Sequence, residues 1–298
     1  MPFGHTGEIA ALATAVCWTC TSMLFASAGK RVGSLSVNII RLVIGFAFLS
    51  LFCWLSRGRL LPTDATAHNW LWLSLSGAAG FVVGDLCLFR AFVVIGARVS
   101  MLLMSLVPPM TALIGWLWLG ERLSAADLLG MTLTVAGVSW VVLERRTGEN
   151  GPILSIPPSG LALGLLGALG QAVGLVMSKI GMGSYSPFAS TQIRILTGIA
   201  GFAILLTALG WWPNVMSALR NGAAMKRITA GAFFGPFLGV SLSLTAVKYT
   251  TAGVAATIMA IPPVLIILPA ILILKEKVPL RAVGGALLAV AGVAVLFL

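Results

Sequence analysis

Long apolar runs separated by short polar segments dominate this chain. A helix that crosses the bilayer core needs roughly 20 apolar residues. Runs of this length predict ten spans, at 8–28, 35–56, 70–94, 97–119, 124–143, 159–180, 187–210, 228–248, 251–274 and 279–298. Most connections are short, so neighbouring spans have to run antiparallel. The pattern predicts an all-α integral membrane protein with ten transmembrane helices.

The second half of the chain repeats the residue pattern of the first. Between positions 80 and 138, matching residues recur 155 positions later, so that Gly84 corresponds to Gly239. Nearer the N-terminus the shift is 153 positions, and Arg41 corresponds to Arg194. The pattern predicts a first five-helix repeat over 1–143, a polar linker over 144–158 and a second five-helix repeat over 159–298.

The odd number of spans in each repeat decides how the repeats are oriented. The linker is too short and too polar to cross a bilayer, so the second repeat has to enter from the opposite side. The two repeats are therefore predicted to be inverted, related by a pseudo-two-fold axis in the membrane plane. Such duplication is typical of secondary transporters.

The composition excludes a soluble protein and changes how the net charge is interpreted. Hydrophobic residues make up 59% of the 298 positions and charged residues only 9%, against about 25% charged residues in soluble domains. The formal net charge of +11 comes from Lys and Arg in loops and at span ends, where they anchor helices, so no nucleic-acid partner is predicted. The N-terminal residues lack a basic segment and a small-residue cleavage site, which predicts a retained first span.

Paired prolines recur at corresponding positions of the two repeats. The fourth span contains Pro108 and Pro109, and the ninth contains Pro262 and Pro263. A proline inside a helix removes a backbone hydrogen bond and clashes with the preceding turn. Proline-interrupted spans in corresponding positions point to a central binding site. The four prolines are predicted to be hinges, and a static kink is the alternative at each.

An acidic residue, Asp85, lies inside the third predicted span. A charge near the bilayer centre costs about 3 kcal/mol or more, so such an acid is by default a functional candidate. The alternatives are an ion pair with Arg90 or with another helix, and a water-exposed helix end. Arg41 and Arg194 lie early in spans 2 and 7 and are predicted to extend towards the membrane interface.

Small, polar and flexible residues complete the candidate cavity. Glycines four residues apart let helix backbones approach closely, either for static packing or as sliding surfaces. Trp18 corresponds to Gln171 under the 153 shift, which predicts paired positions on one cavity, with ordinary packing as the alternative. Methionines suit varied apolar ligands, and serines offer hydroxyls. The predicted substrate-binding residues are Trp18, Ser22, Gly84, Asp85, Met101, Met104, Ser105, Gln171, Gly174 and Met259.

Catalytic and metal-binding motifs are missing from the sequence. It has no phosphate-binding loop of the G-x-x-x-x-G-K-[ST] type, no H-E-x-x-H and no G-x-S-x-G. Cys17 and Cys20 have C-x-x-C spacing, but no second Cys or His pair completes a zinc site. The sequence therefore predicts a transporter and no enzyme, without an ATP motor, a metal or another cofactor.

The end of each repeat resembles the EamA type of the drug/metabolite transporter superfamily, and the resemblance covers essentially the whole chain. The first copy of the motif consists of Pro108-Pro109, 118–123 (WLGERL), Gly130 and 136–138 (AGV). The second consists of Pro262-Pro263, 274–278 (LKEKV), Gly285 and 291–293 (AGV). An arginine early in the second span of each repeat, Arg41 or Arg194, also matches. Within the superfamily the chain is most similar to YddG-type amino-acid exporters, but Gln171 and Ser105 stand where aromatic residues line the cavity of that group.

The resemblance implies ten helices, a cavity between spans 1, 3, 4, 6, 8 and 9, alternating access and both termini in the cytoplasm. The loops on the side away from the termini carry most Lys and Arg, and the positive-inside rule places those loops in the cytoplasm, so the two expectations conflict. The predicted function is a monomeric exporter in the inner (plasma) membrane for amino acids or similar small amphipathic metabolites. The alternatives are a drug or cation exporter, a lipid-carrier flippase of the same fold, and a membrane enzyme or scaffold.

Overall fold

The computed structural model describes residues 5–95, 100, 103–144, 157–265, 267 and 280–298. These residues form helices joined by short turns, with no strand among them. The helices long and apolar enough to cross a membrane are Thr6–Val32, Ser34–Arg57, Ala67–Leu88, Pro158–Met182, Pro187–Ala208 and Gly222–Tyr249. Shorter apolar helices cover Val107–Leu119, Ala125–Val141, Ala252–Leu265 and Val283–Val295. The predicted all-helical architecture is confirmed.

The helices are labelled in chain order. Those of the first half are α1 (Thr6–Val32), α2 (Ser34–Arg57), α3 (Ala67–Gly77), π1 (Ala78–Gly84), α4 (Asp85–Val94), α5 (Val107–Leu119) and α6 (Ala125–Glu144). Those of the second half are α7 (Pro158–Met182), α8 (Pro187–Ala208), α9 (Trp212–Leu219), α10 (Gly222–Ala232), π2 (Phe233–Gly239), α11 (Val240–Tyr249), α12 (Ala252–Met259), α13 (Pro262–Leu265) and α14 (Leu280–Val295).

A segment of π-helix interrupts the third span of each half. π1 joins α3 to α4, and π2 joins α10 to α11, so each of the two helices continues through a wider turn. The two segments stand 155 positions apart, which is the shift of the sequence repeat. π-turns occur frequently at functional sites, because they change which backbone carbonyls are bonded within the helix.

The paired prolines begin helices, which corrects the prediction that they lie in helix interiors. Pro108 lies in the first turn of α5, and Pro262 is the first residue of α13. A backbone N–H in the first turn of a helix has no acceptor within that helix, so the missing N–H of proline costs no hydrogen bond there. The fixed φ of proline also suits the helix. Non-helical residues precede both starts, at 105–106 and 260–261, again 155 positions apart. Both helices are interrupted, as the prolines predict, but the interruption lies at the non-helical residues just before the prolines.

The region between α8 and α11 differs from the prediction in a second way. An additional helix, α9, occupies Trp212–Leu219, and α10 already begins at Gly222. α9 has only 8 residues and starts at a Trp-Pro pair. A search for apolar runs of about 20 residues passes over so short a helix.

Contacts between α6 and α14 join the two halves reciprocally. A Cβ atom on Gly137 would lie 2.6 Å from the carbonyl oxygen of Gly285, and one on Gly292 would lie 2.7 Å from that of Gly130. Under the 155 shift Gly130 corresponds to Gly285, and Gly137 to Gly292. Gly137 thus contacts Gly285, and the two corresponding residues, Gly292 and Gly130, also contact each other. Reciprocal contacts of this kind are typical of a two-fold interface.

Candidate functional site

The candidate site begins at a contact between two helix backbones. α7 crosses π1 with Gly170 against Gly84 and with Gly174 against Gly80. A Cβ atom on Gly174 would lie 3.0 Å from the backbone nitrogen of Gly80, and one on Gly170 would lie 2.9 Å from Cα of Gly84. The close approach expected from the glycine spacing is present, and it brings the side chains beside these glycines together.

Asp85, the first residue of α4, accepts hydrogen bonds from two other helices. Nη2 of Arg41 on α2 lies 2.6 Å from Oδ2, and Nε2 of Gln171 on α7 lies 2.9 Å from Oδ1. Gln171 Nε2 also donates to the carbonyl oxygen of Gly80 in π1, at 3.2 Å. The Arg41 and Asp85 side chains are only 15% and 12% exposed. Both carboxylate oxygens have a donor, so the carboxylate is fixed between α2, α4 and α7.

The two repeat-related arginines both lie inside the bundle, and the prediction that they extend to the interface is wrong. Arg41 is bound to Asp85, and Arg194 is only 6% exposed. The Arg194 guanidinium stacks on Phe81, with Cζ 5.2 Å from the ring centroid. A buried carboxylate without a counter-charge costs free energy, and the ion pair with Asp85 holds Arg41 inside the bundle. The partner of Asp85 is therefore on another helix, and it is Arg41 and not Arg90.

Trp18 and Gln171 lie against equivalent backbone positions. The atom nearest to a Cβ on Gly84 would be Gln171 Nε2, at 3.1 Å, and Trp18 Nε1 would lie 2.8 Å from a Cβ on Gly239. Because Gly84 and Gly239 correspond to each other, the two side chains occupy matching places on π1 and π2. Their contact with a substrate stays a prediction.

The remaining predicted site residues are on α1, near the break before α5 and at the end of α12. Met101 lies outside the described residues. Ser105 stands at the break before α5, with its Oγ 3.1 Å from that of Ser139. Of the others, Ser22 is exposed on α1, Met104 is half-buried, and Met259 is buried at the end of α12.

The chain termini mark one face of the bundle, on which further polar contacts lie. The rings of His5 and Phe297 pack with centroids 5.7 Å apart, so the two ends meet. A Cβ atom on Gly7 would touch Thr250, which places the turn between α11 and α12 beside the start of α1. This end of the bundle is called the termini face below.

Glu121 and Lys179 join three helix ends at the termini face. Lys179 Nζ, near the end of α7, lies 2.5 Å from Glu121 Oε1 and donates to the carbonyl oxygen of Thr250 at 2.6 Å. Glu121 Oε2 accepts from the backbone nitrogen of Ala252, the first residue of α12, at 2.8 Å. A carboxylate at a helix N-terminus is favoured by the helix dipole. These bonds connect the ends of α5 and α7 to the turn between α11 and α12.

A second cluster at the termini face ties the turn after α2 to the turn after α7. Asp64 Oδ2 lies 2.5 Å from Arg57 Nη2, and Asp64 Oδ1 accepts from the Tyr185 hydroxyl at 2.7 Å. Desolvation by itself would raise the pKa of Asp64, but hydrogen bonds from Tyr185 and the backbone, with the charges of Arg57 and Arg59, hold it below its ordinary value. Burial raises the pKa of the Tyr185 phenol. The turns on this face are thus cross-linked by polar contacts.

Comparison with known proteins decides the family. The family model of the EamA-like transporter family matches residues 5–143 and again 158–298. This chain belongs to the EamA-like transporter family. Membership in this family agrees with the apolar helices, which are those of a multi-pass membrane protein.

Related proteins agree with the family assignment and add no substrate. This EamA-like protein is 26% identical over 189 residues to YvbV, an uncharacterized transporter of Bacillus subtilis, across 62% of this chain and 58% of the relative. It is 22% identical over 187 residues to an uncharacterized membrane protein of Saccharomyces cerevisiae, across 58% of this chain and 45% of that protein. The chain thus spans about half the length of these relatives. A protein crystal structure at 18% identity matches 97% of this chain and 95% of its own, with a TM-score of 0.76, which shows a shared fold.

Proposed function

We propose that this protein is a secondary transporter of the inner membrane that exports amino acids or similar small amphipathic metabolites by alternating access. The observation that carries the proposal is the polar cluster of Asp85, Arg41 and Gln171, which lies where the two halves of the chain meet. A buried charge network in a membrane bundle is costly and marks a substrate or ion pathway. Its acidic and basic groups match the ammonium and carboxylate groups of an amino acid.

Reciprocal contacts support an inverted repeat of ten helices as the frame of this site. Such contacts join α6 to α14, and Trp18 and Gln171 occupy matching positions on π2 and π1. The paired prolines and the π-segments also recur at corresponding positions of the two halves. The two family matches, 5–143 and 158–298, fit a repeat over 1–143, a linker and a repeat over 159–298. In this proposal a single copy of the chain is sufficient, and one half rocks against the other about the pseudo-two-fold axis.

The breaks before the paired prolines are the proposed hinges of this motion. Residues 105–106 and 260–261 leave the helical path, and Pro108-Pro109 and Pro262-Pro263 then prevent the helix from closing over the break. Equivalent hydrogen bonds restart each helix, from Met110 N to Leu106 O at 3.0 Å and from Leu265 N to Ile261 O at 3.1 Å. Bending there would move α5 and α12 relative to the cluster.

Counterflow in proteoliposomes tests the proposed function. Vesicles containing the purified protein are preloaded with one unlabelled amino acid from a panel, and labelled substrate is added outside without an ion gradient. We expect transient accumulation of label with a subset of the panel. Accumulation only with a lipophilic cation, such as tetraphenylphosphonium, would contradict the proposal and favour a cation exporter. Two buried arginines, Arg41 and Arg194, lie near the single acid Asp85, and this excess of positive charge weighs against that outcome.

The Glu121–Lys179 contact is the proposed lock of the termini face. The positions that correspond to this pair are Glu276 and Ala26, so the second repeat cannot build the same ion pair from equivalent residues. This asymmetry fits a structure in which the termini face is held shut. Opening that face requires Lys179 to give up its bonds to Glu121 and to the Thr250 carbonyl.

Lys179→Met should open the termini face more often. Charge-assisted hydrogen bonds are each worth about 1.5–3 kcal/mol, so we expect at least about a tenfold rise in the open population. The readout is labelling by an impermeant thiol reagent of Thr14→Cys, which lies buried on α1 two turns from the termini face. The background is a cysteine-free variant with Cys17, Cys20, Cys53 and Cys87 replaced by Ala.

Lys226→Met is the matched control for this experiment, because Lys226 is exposed on α10 and loses the same charge. It should leave the labelling rate of Thr14→Cys unchanged. Equal labelling rates in the Lys179→Met variant and in the unmodified background would show that Lys179 does not hold the termini face shut.

A further inference from the structure

The polar cluster and the neighbouring Arg194 together contain more positive than negative charge. Arg41 and Arg194 are both buried side chains, and guanidinium groups stay protonated in proteins. Asp85 is bound directly by Arg41. Among the described residues no acidic side chain forms an ion pair with Arg194. The three side chains together therefore carry a net positive charge inside the membrane bundle, which is unfavourable without a further anion.

Arg194 is held in place without an acceptor for its Nε. Its Nη2 lies 3.4 Å from the position of a Cβ on Gly80, and Gln171 Oε1 lies 3.9 Å from the same position, so the guanidinium borders the Asp85 cluster. One face of the guanidinium is covered by the ring of Phe81. Within the described part of the chain its Nε has no hydrogen-bond partner, although the residue is only 6% exposed. Such a donor costs free energy until an acceptor reaches it.

The repeat shows which acid is missing. α2 packs on π2 through Gly45 and Pro236, and α8 packs on π1 through Gly198 and Phe81. Under the repeat, the bond of Arg41 to the first residue after π1 corresponds to a bond of Arg194 to the first residue after π2. The first half has Asp85 there, but the corresponding residue of the second half is Val240.

We propose that Arg194 binds the carboxylate of the substrate, which makes small carboxylates with an apolar or aromatic body the substrate class. This inference rests on the proposed function, because it assigns a ligand group to the same site. A planar guanidinium binds a carboxylate through two parallel hydrogen bonds. Phe25, with its ring centroid 5.4 Å from Arg41 Cζ, and Trp18 provide surfaces for the apolar body. The Arg41 and Asp85 side chains keep 15% and 12% of their surface exposed.

Calorimetric binding to the purified protein tests the assignment with matched pairs of ligands. One member is a carboxylate and the other its carboxamide: 3-phenylpropionate with 3-phenylpropionamide, and L-phenylalanine with L-phenylalaninamide, beside a panel of aliphatic pairs. We expect at least one carboxylate of the panel to bind at least tenfold more tightly than its amide. Arg194→Gln should reduce that carboxylate to the affinity of its amide, and Arg194→Lys should keep part of the difference.

Arg220→Gln is the control, because Arg220 is exposed outside the spans and its loss changes the net charge equally. It should leave the carboxylate preference unchanged. Arg194→Gln should also melt at or above the temperature of the unmodified protein, because it removes a buried charge without a direct counter-charge. An arginine with a purely structural role would lower the melting temperature when it is replaced.

Three results would overturn the inference: equal binding of acid and amide by the unmodified protein, a preference that persists in Arg194→Gln, and no saturable binding of any carboxylate in the panel. The proposed function fails separately. If carboxylates bind through Arg194 but no amino acid shows counterflow, the substrate class stands and amino-acid export is wrong. If amino acids and their amides are transported equally well, export stands and the role of Arg194 is wrong.

Discussion

Replacing Asp85 by Leu should strongly destabilise the protein and abolish transport. The substitution leaves Arg41 buried without its counter-charge and leaves Gln171 Nε2 without one of its acceptors. Removing one partner of a buried ion pair costs about 3–5 kcal/mol. Asp85→Asn should cost less, because its carbonyl oxygen still accepts a hydrogen bond. The measurement is the apparent melting temperature in detergent, followed by size-exclusion chromatography, with counterflow for every variant that remains folded.

The double variant Arg41→Met with Asp85→Leu separates folding from function. Replacing a buried ion pair by apolar residues of similar volume is often neutral or stabilising. We therefore expect the double variant to recover most of the melting temperature while transport stays lost. A single Asp85→Leu variant that melts like the unmodified protein would show that the pair is not buried in the native state. Full transport by the double variant would show that Arg41 and Asp85 are not part of the substrate site.

Gly170→Leu should separate α7 from π1 and destabilise the bundle. A Cβ atom at this position would lie 2.8 Å from the carbonyl oxygen of Ala79 and 2.9 Å from Cα of Gly84, and neither backbone atom can move aside. Overpacking of a well-packed interface typically costs about 1–3 kcal/mol. The shift would also carry Gln171, the next residue, away from Asp85. We expect a lower melting temperature and loss of counterflow.

Gly284→Leu is the matched control, since Gly284 also lies within a helix but has no atom of the described residues within 4 Å of the position of its Cβ. Both substitutions gain helix propensity, about 0.8 kcal/mol relative to Gly. The control should melt at the same temperature as the unmodified protein or slightly higher. Equal stability of both variants would contradict the close contact between α7 and π1.

The sequence identifies the third span's acid but not its partner. Asp85 is evident because a carboxylate inside an apolar run has few physical explanations. Arg41 is 44 positions away on another helix, and only the tertiary structure brings its guanidinium to Asp85. The recurrence of arginine at 41 and 194 was a usable signal. Long basic side chains near span ends usually extend to the interface, however, so the sequence predicts an interface position for both arginines.

The sequence predicts the positions of residues inside spans better than those of residues at helix ends. Apolar length predicts that a helix exists, but where it starts depends on backbone geometry, as the prolines after residues 106 and 261 show. Glu121 and Lys179 each look like ordinary loop or interface charges in the sequence. They form an ion pair because the ends of α5 and α7 meet the turn between α11 and α12, and that meeting is a property of the tertiary structure. The shift of 155 was the more reliable guide, since it relates π1 to π2 and the two helix breaks.

Access to the site from both faces tests the central claim most directly. In the cysteine-free background, Ser22→Cys is exposed on α1, one helical turn from Trp18. Sealed vesicles of both orientations are treated with a charged, impermeant methanethiosulfonate reagent, with and without a transported amino acid. The account predicts labelling from either face in turn and slower labelling when substrate is bound. Labelling from one face alone, even with Lys179→Met, or no effect of substrate, would contradict alternating access at this site.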